Sequence, residues 1–186
     1  MKKYFSIIVI LFTIISFSTG CSANTKTEPQ INNISKTTIM KISSTAYTEN
    51  GQVPSKFTCD GENINPPVQF EAIPEDTKSL ALIYEDPDAP NGTWIHWVVW
   101  NIDPANPVIA ENSVPQGAEV GNNDFGETAY GGPCPPGGTH RYVFKGYALD
   151  TMLQLAPGSA KKDLKVAMDG HMLAEALLTG VYTRKK

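Results

Sequence analysis

From Gly131 to Gly138 the chain is glycine and proline on either side of a single residue, Cys134, and it passes without a spacer into Thr139-His140-Arg141-Tyr142-Val143-Phe144. Glycine weakens helix and strand interiors and proline removes a backbone donor, so this segment is a loop of restricted path. Its glycines let bare N–H groups come close to a bound atom, and its prolines hold the course of the chain. The strand that follows carries His140 and Tyr142 to one face. These are the attributes of a binding loop.

A second segment upstream has the same character. Asp86-Pro87-Asp88-Ala89-Pro90 sets two carboxylates on a proline-stiffened turn, and Trp94 to Ile102 then reads as a strand in which Trp94, His96 and Val98 share a face. The chain has 3 histidines, and His96 and His140 both fall in these strands. Each can donate a proton to a ligand oxygen near neutral pH, and two converging donors suit an anion. The third, His171, lies beside a helix stop and reads as a surface or packing residue.

Strand signals dominate the rest. Ile39 to Ser43, Leu80 to Tyr84, Trp94 to Ile102 and His140 to Leu149 are short runs of β-branched and aromatic residues between Pro, Gly, Asn and Asp clusters, the pattern of a mainly-β antiparallel sandwich. Trp97 and Val99 fall on the core side. Ser159 is placed to cap one helix over Ala160 to Met168, with Gly170 as its stop. From His171 to Tyr182 the signal is divided: Leu173 to Leu178 has helical propensity, and Thr179-Gly180-Val181-Tyr182 does not.

Asp86-Pro87-Asp88-Ala89-Pro90 with His96-Trp97-Val98-Val99-Trp100-Asn101-Ile102, together with the Tyr130 to Phe144 segment, resembles the phosphatidylethanolamine-binding protein family in its bacterial Raf-kinase-inhibitor-like branch. Cys59 to Pro67, Asn122 to Gly126 and Leu178 to Tyr182 extend the resemblance over about Ile42 to Tyr182. It implies a Greek-key antiparallel β-sandwich with helix confined to the C-terminal third, and strand in the second half of His171 to Tyr182. It also implies a pocket for a phosphate-type anion or phospholipid head group. On the matching positions that pocket is made by Asp86, His96, Gly132 and His140, with Asp88, Pro90, Trp94, Pro133 and Tyr142 as walls. Asp86 is expected to accept an imidazole N–H rather than touch the anion, and Asp88 equally fits a turn-forming role. Relatives that inhibit kinases or serine proteases make a protein target the alternative reading.

Other chemistry finds less support. There is no G-x-S-x-G elbow for a serine nucleophile, and prolines flank Cys134 on both sides of any nucleophilic use. Asp86, Asp88, His96 and His140 are metal-ligand types without the close spacing of a metal motif, so neither a metal nor another cofactor is expected.

With 186 residues, 41% of them hydrophobic, the chain suits one domain. Lys2 and Lys3 precede an uncharged apolar run from Tyr4 to Phe17, the charge order of a secretory signal and short for a membrane span. Ser18-Thr19-Gly20-Cys21 resembles a lipobox, although Ser18 stands where an aliphatic residue is usual; the other reading is an ordinary signal cut nearby, with Cys21 an unpaired thiol. The expected organisation is a signal peptide over 1–20, a tether over 21–38 lipid-anchored through Cys21, and the domain over 39–186. The chain is thereby placed outside the cytoplasm on a bacterial membrane. Without residues 1–20 the net charge is −6, from thirteen basic and nineteen acidic side chains. That balance argues against nucleic acid and against electrostatic adhesion to anionic lipid, leaving anchorage to acyl chains. Cys59 and Cys134 then form an even pair in an oxidising compartment, as a disulfide or as two buried thiols.

Overall fold

A computed structural model describes residues 39–184; the expected signal peptide, Cys21 and the tether lie outside them. Among the described residues nine strands and one α-helix follow in the order β1 (Lys41–Ser43), β2 (Gly51–Gln52), β3 (Val68–Glu71), β4 (Ser79–Asp86), β5 (Trp94–Ile102), β6 (Val108–Ile109), β7 (Glu119–Val120), β8 (Thr139–Leu149), α1 (Lys161–Met168) and β9 (Met172–Thr183). They make a six-stranded sheet, β2-β9-β8-β4-β5-β7, and a three-stranded sheet, β1-β3-β6. Pairing is antiparallel apart from β2, which runs parallel to β9 and so departs from the all-antiparallel expectation. Among the described residues no helix is long and apolar enough to cross a membrane.

β4 explains why two layers are needed over the large sheet. All its residues are buried, and because side chains alternate, both faces of the sheet must be covered. Leu80, Leu82 and Tyr84 enter a core with Ile42 and Phe70 of the small sheet. Ala81 and Ile83 enter a second core with Leu164 and Met168 of α1. Between the helix and the sheet, the buried Glu85 carboxylate receives Lys145 at 2.7 Å and Lys161 at 2.5 Å.

The helix starts one residue later than the sequence predicts. Ser159 turns its hydroxyl to the Ala156 carbonyl, and the Ala160 N–H is taken by the Asp163 carboxylate at 3.0 Å. Gly170 ends the segment in the left-handed region at φ 77°, where glycine is at home. The divided C-terminal segment is strand from Met172 onward. Helical propensity at Leu173 to Leu178 is worth only a few tenths of a kcal/mol per residue, whereas β8 pairs with β9 from Thr139↔Thr183 to Leu149↔Met172. Ala176, Leu178 and Tyr182 face the core while Leu173, Glu175 and Leu177 face out.

Candidate functional site

One irregularity in the large sheet sets the position of His96. A single step along β4, from Tyr84 to Glu85, is matched by two steps along β5, from Trp97 to Ile95. His96 is therefore the extra residue of a β-bulge, and bulges re-aim side chains. The expectation that Trp94, His96 and Val98 share a face is corrected accordingly: His96 lies on the side of Trp97 and Val99, and Val98 joins Ile95 in the core under α1.

The imidazole is buried and boxed by aromatic edges. Tyr84 stands 5.7 Å away, and Phe125 and Tyr142 each 5.3 Å, centroid to centroid. Nδ1 donates to the Gly131 carbonyl at 2.7 Å, which fixes the tautomer and leaves Nε2 for the cavity. Burial holds the His96 pKa below the ordinary histidine value, against the Gly131 carbonyl and the Asp86 charge that pull it up. The resting ring is thus neutral at pH 7 and presents a lone pair.

His96 opens on a cavity of about 390 Å³ that Asp86, Pro90, Trp94, Phe125 and Tyr142 also line. Asp86 is buried with both oxygens engaged: Oδ1 accepts the Asp88 N–H and Oδ2 accepts His140 Nδ1, each at 2.8 Å. The expectation that His140 meets the ligand is corrected: it is not among the residues lining this cavity, and its Nδ1 is engaged by Asp86. Among the described residues the buried Tyr142 hydroxyl has no hydrogen-bond partner. Burial and the Asp86 charge push its pKa well up, so it remains a phenol with a proton to donate.

Three further sequence expectations are corrected here. The Gly132 N–H does not point at a ligand; it donates to Asn63 Oδ1 at 2.8 Å. Glycine is needed there because a Cβ would meet the Phe57 carbonyl at 2.5 Å. Pro133 is not a wall of the His96 cavity, and its carbonyl accepts the Cys59 N–H at 3.1 Å. Asp88 is a clamp: it takes Nε, the terminal guanidinium nitrogen and the backbone N–H of Arg141 at 2.9, 2.6 and 2.9 Å. That fork holds the Asp88 pKa at about 2, the Arg141 hydrogen bonds being the main cause.

The Gly/Pro loop is tied to the Cys59 turn. A disulfide joins Cys59 to Cys134, with Cα atoms 5.4 Å apart, and the Tyr130 hydroxyl donates to the Phe57 carbonyl at 2.8 Å. Cys134 and Phe125 also line an adjoining cavity of about 210 Å³. Sequence reasoning missed Phe125 and its holder Asn123. Asn123 Oδ1 accepts the Phe125 and Glu127 N–H groups, each at 3.0 Å. An Asn followed by Asp-Phe-Gly signals such a side-chain-held turn, but nothing local tells which cavity the turn closes.

Together these elements define a mainly-β, two-sheet binding domain with an aromatic-walled pocket that holds a buried imidazole and a buried carboxylate. The family model for phosphatidylethanolamine-binding protein matches residues 43–183, and the chain belongs to that family. A Methanothermobacter thermautotrophicus UPF0098 protein is 49% identical over 150 residues, covering 78% of this chain and 99% of the relative. A Pyrococcus horikoshii UPF0098 protein is 40% identical over 187 residues, covering 95% and 88%. The crystal structure of a phosphatidylethanolamine-binding protein homologue from Chlamydia trachomatis superposes with a TM-score of 0.77 at 42% identity, covering 80% of this chain and 99% of that one. Escherichia coli YbcL superposes with a TM-score of 0.74 at 31% identity, covering 78% and 99%.

Proposed function

We propose that this chain is an exported, lipid-anchored binding protein whose His96 cavity receives a phosphate-type anion, free or as a phospholipid head group. The observation that carries the reading is His96 Nε2, which among the described residues has no protein partner once Nδ1 donates to Gly131, in a residue that lines an aromatic-walled cavity with Asp86 and Tyr142. Protonated His96 would add a charge-assisted bond. Asp86, with both oxygens already engaged, supplies the countercharge rather than a contact.

Binding rather than catalysis fits the residues. Cys134 is spent in the disulfide, and the raised Tyr142 pKa makes a poor nucleophile. A second reading, an extracytoplasmic module inhibiting a serine protease or signalling enzyme, draws on the exposed rim pair Trp94 and Phe125, whose rings meet edge-on at 5.4 Å. Aromatic side chains are the usual anchors of protein contacts.

Native mass spectrometry and lipid extraction on the mature protein from its own envelope test the proposal. A bound diacyl phospholipid supports the head-group form, and bound inorganic phosphate supports the free anion. An empty cavity that neither ligand fills on titration overturns it in favour of the interaction module. Labelled fatty acid should enter the wild type and not Cys21→Ser; equal release of both into the medium contradicts the anchor.

A further inference from the structure

The chain has two Asn-Gly dipeptides, Asn50-Gly51 and Asn91-Gly92; both asparagines are exposed, and the two sites differ in how much else holds the backbone. Asn50 is pinned: its N–H donates to the Thr179 carbonyl at 2.7 Å, and the Gly51 N–H donates to the Thr48 carbonyl at 2.8 Å. A Cβ on Gly51 would meet that same carbonyl oxygen at 2.8 Å. Asn91 and Gly92 are exposed. Gly92 has φ 102° and nothing within 4 Å of where a Cβ would stand. Its N–H has one turn bond, to the Ala89 carbonyl at 3.1 Å. The segment spans the stretch between the Asp88–Arg141 fork and the start of β5. Asn91 also lines the His96 cavity, on the same wall as Pro90 and Trp94.

We propose that Asn91 is a site of spontaneous deamidation that weakens the cavity for anions as the protein ages; the second half of this inference rests on the function proposed above. The backbone nitrogen of Gly92, released from its Ala89 bond, attacks Cγ of the Asn91 side chain. The new N–C bond closes a five-membered imide, and the C–N bond of the side-chain amide breaks, expelling ammonia after proton transfer from Gly92 N–H. Water then opens the imide at one carbonyl or the other, giving aspartate or isoaspartate. No oxidant or reductant is involved. Glycine at the second position permits the closure because it lacks a side chain to hinder attack. The product adds a carboxylate to a mouth whose fixed carboxylate is Asp86 and whose imidazole, His96, is neutral at rest. Like charge across a partly hydrated cavity weakens binding of a phosphate by about 3- to 10-fold.

The test ages the full-length purified protein, maps it by peptide mass spectrometry, and titrates inorganic phosphate into fresh protein, aged protein, Asn91→Asp and Asn91→Gln. Glutamine keeps the amide and does not close the five-membered ring. The expected result is conversion of Asn91 well ahead of Asn50, with aged wild type and Asn91→Asp sharing the weakened affinity, and with aged Asn91→Gln binding phosphate as tightly as fresh Asn91→Gln. Asn91 that stays intact, or is converted no faster than Asn50, overturns the modification. So does a glycan on Asn91, for which Asn91-Gly92-Thr93 is also an acceptor triplet. Phosphate affinity equal in Asn91→Asp and wild type overturns the consequence. A fresh wild type that binds no phosphate sinks the anion reading itself and the consequence with it, while the mass map still decides the chemistry at Asn91.

Discussion

Replacing His140 by phenylalanine isolates what the imidazole does for Asp86. The ring is conserved, so stacking against Tyr142, 6.5 Å away and tilted by 21°, is kept, and only the Nδ1 donor is lost. Asp86, 4% exposed, would be left with the Asp88 N–H alone at 2.8 Å. Breaking a buried pair by removing one partner costs about 3–5 kcal/mol, and an unmet buried polar group about 1–3. Asp86 also borders the cavity, where water relieves part of the loss, so about 2–3 kcal/mol is expected. For a domain of this size that lowers Tm by about 5–10 °C. Adding Asp86→Asn removes the stranded charge, and the double variant should regain at least about 1 kcal/mol over His140→Phe. Chemical denaturation of wild type, both single variants and the double variant closes the cycle. Unchanged stability in His140→Phe, or strictly additive effects, would refute the role assigned to the pair.

The Asp88 fork makes a prediction in pH. Its folded pKa, about 2, lies below the unfolded value of about 4. The fork's stabilisation is therefore full above the unfolded value and is lost as pH falls through about 4 towards about 2. Arg141→Gln should cost below about 1 kcal/mol at neutral pH, as exposed pairs do, and the difference should vanish in acid denaturation series; a difference that grows in acid contradicts it. The disulfide closes a sequence separation of 75 residues, for which chain entropy gives about 4 kcal/mol. Cys59→Ser with Cys134→Ser should lower the denaturation midpoint, and reduced wild type should match the double variant.

How much of this was legible depended on whether the determinants were local. Trp94–Ile102 was bounded correctly because alternation and turn residues are written in adjacent positions. The bulge at His96 was not, since it appears only when β5 is laid against β4. The sequence marks Gly132 as a ligand contact, whereas the glycine there answers to the close approach of Phe57 and Asn63 from a distant turn. In the sequence Asp88 fits a turn former and a wall equally, and its partner Arg141, on the face of β8 opposite to His140, decides for a clamp. The parallel pairing of β2 with β9 joins segments far apart in the chain and leaves no local mark.

The most direct test of the central claim is proton-linked anion binding at His96. Burial holds the free imidazole below its ordinary pKa, and an anion on Nε2 favours the charged form, so binding should draw in protons near neutral pH. Affinity should accordingly strengthen as pH falls from 8 towards 6 and continue to rise below. Sulfate is the probe, because its own charge is constant over that range. Calorimetric titration in buffers of different ionisation enthalpy should show net proton uptake by the wild type. His96→Gln, which retains a donor for the Gly131 carbonyl but does not titrate, should show little or none and bind more weakly. Equal affinity in both proteins, with no proton uptake in either, would contradict the assignment of this cavity to an anion.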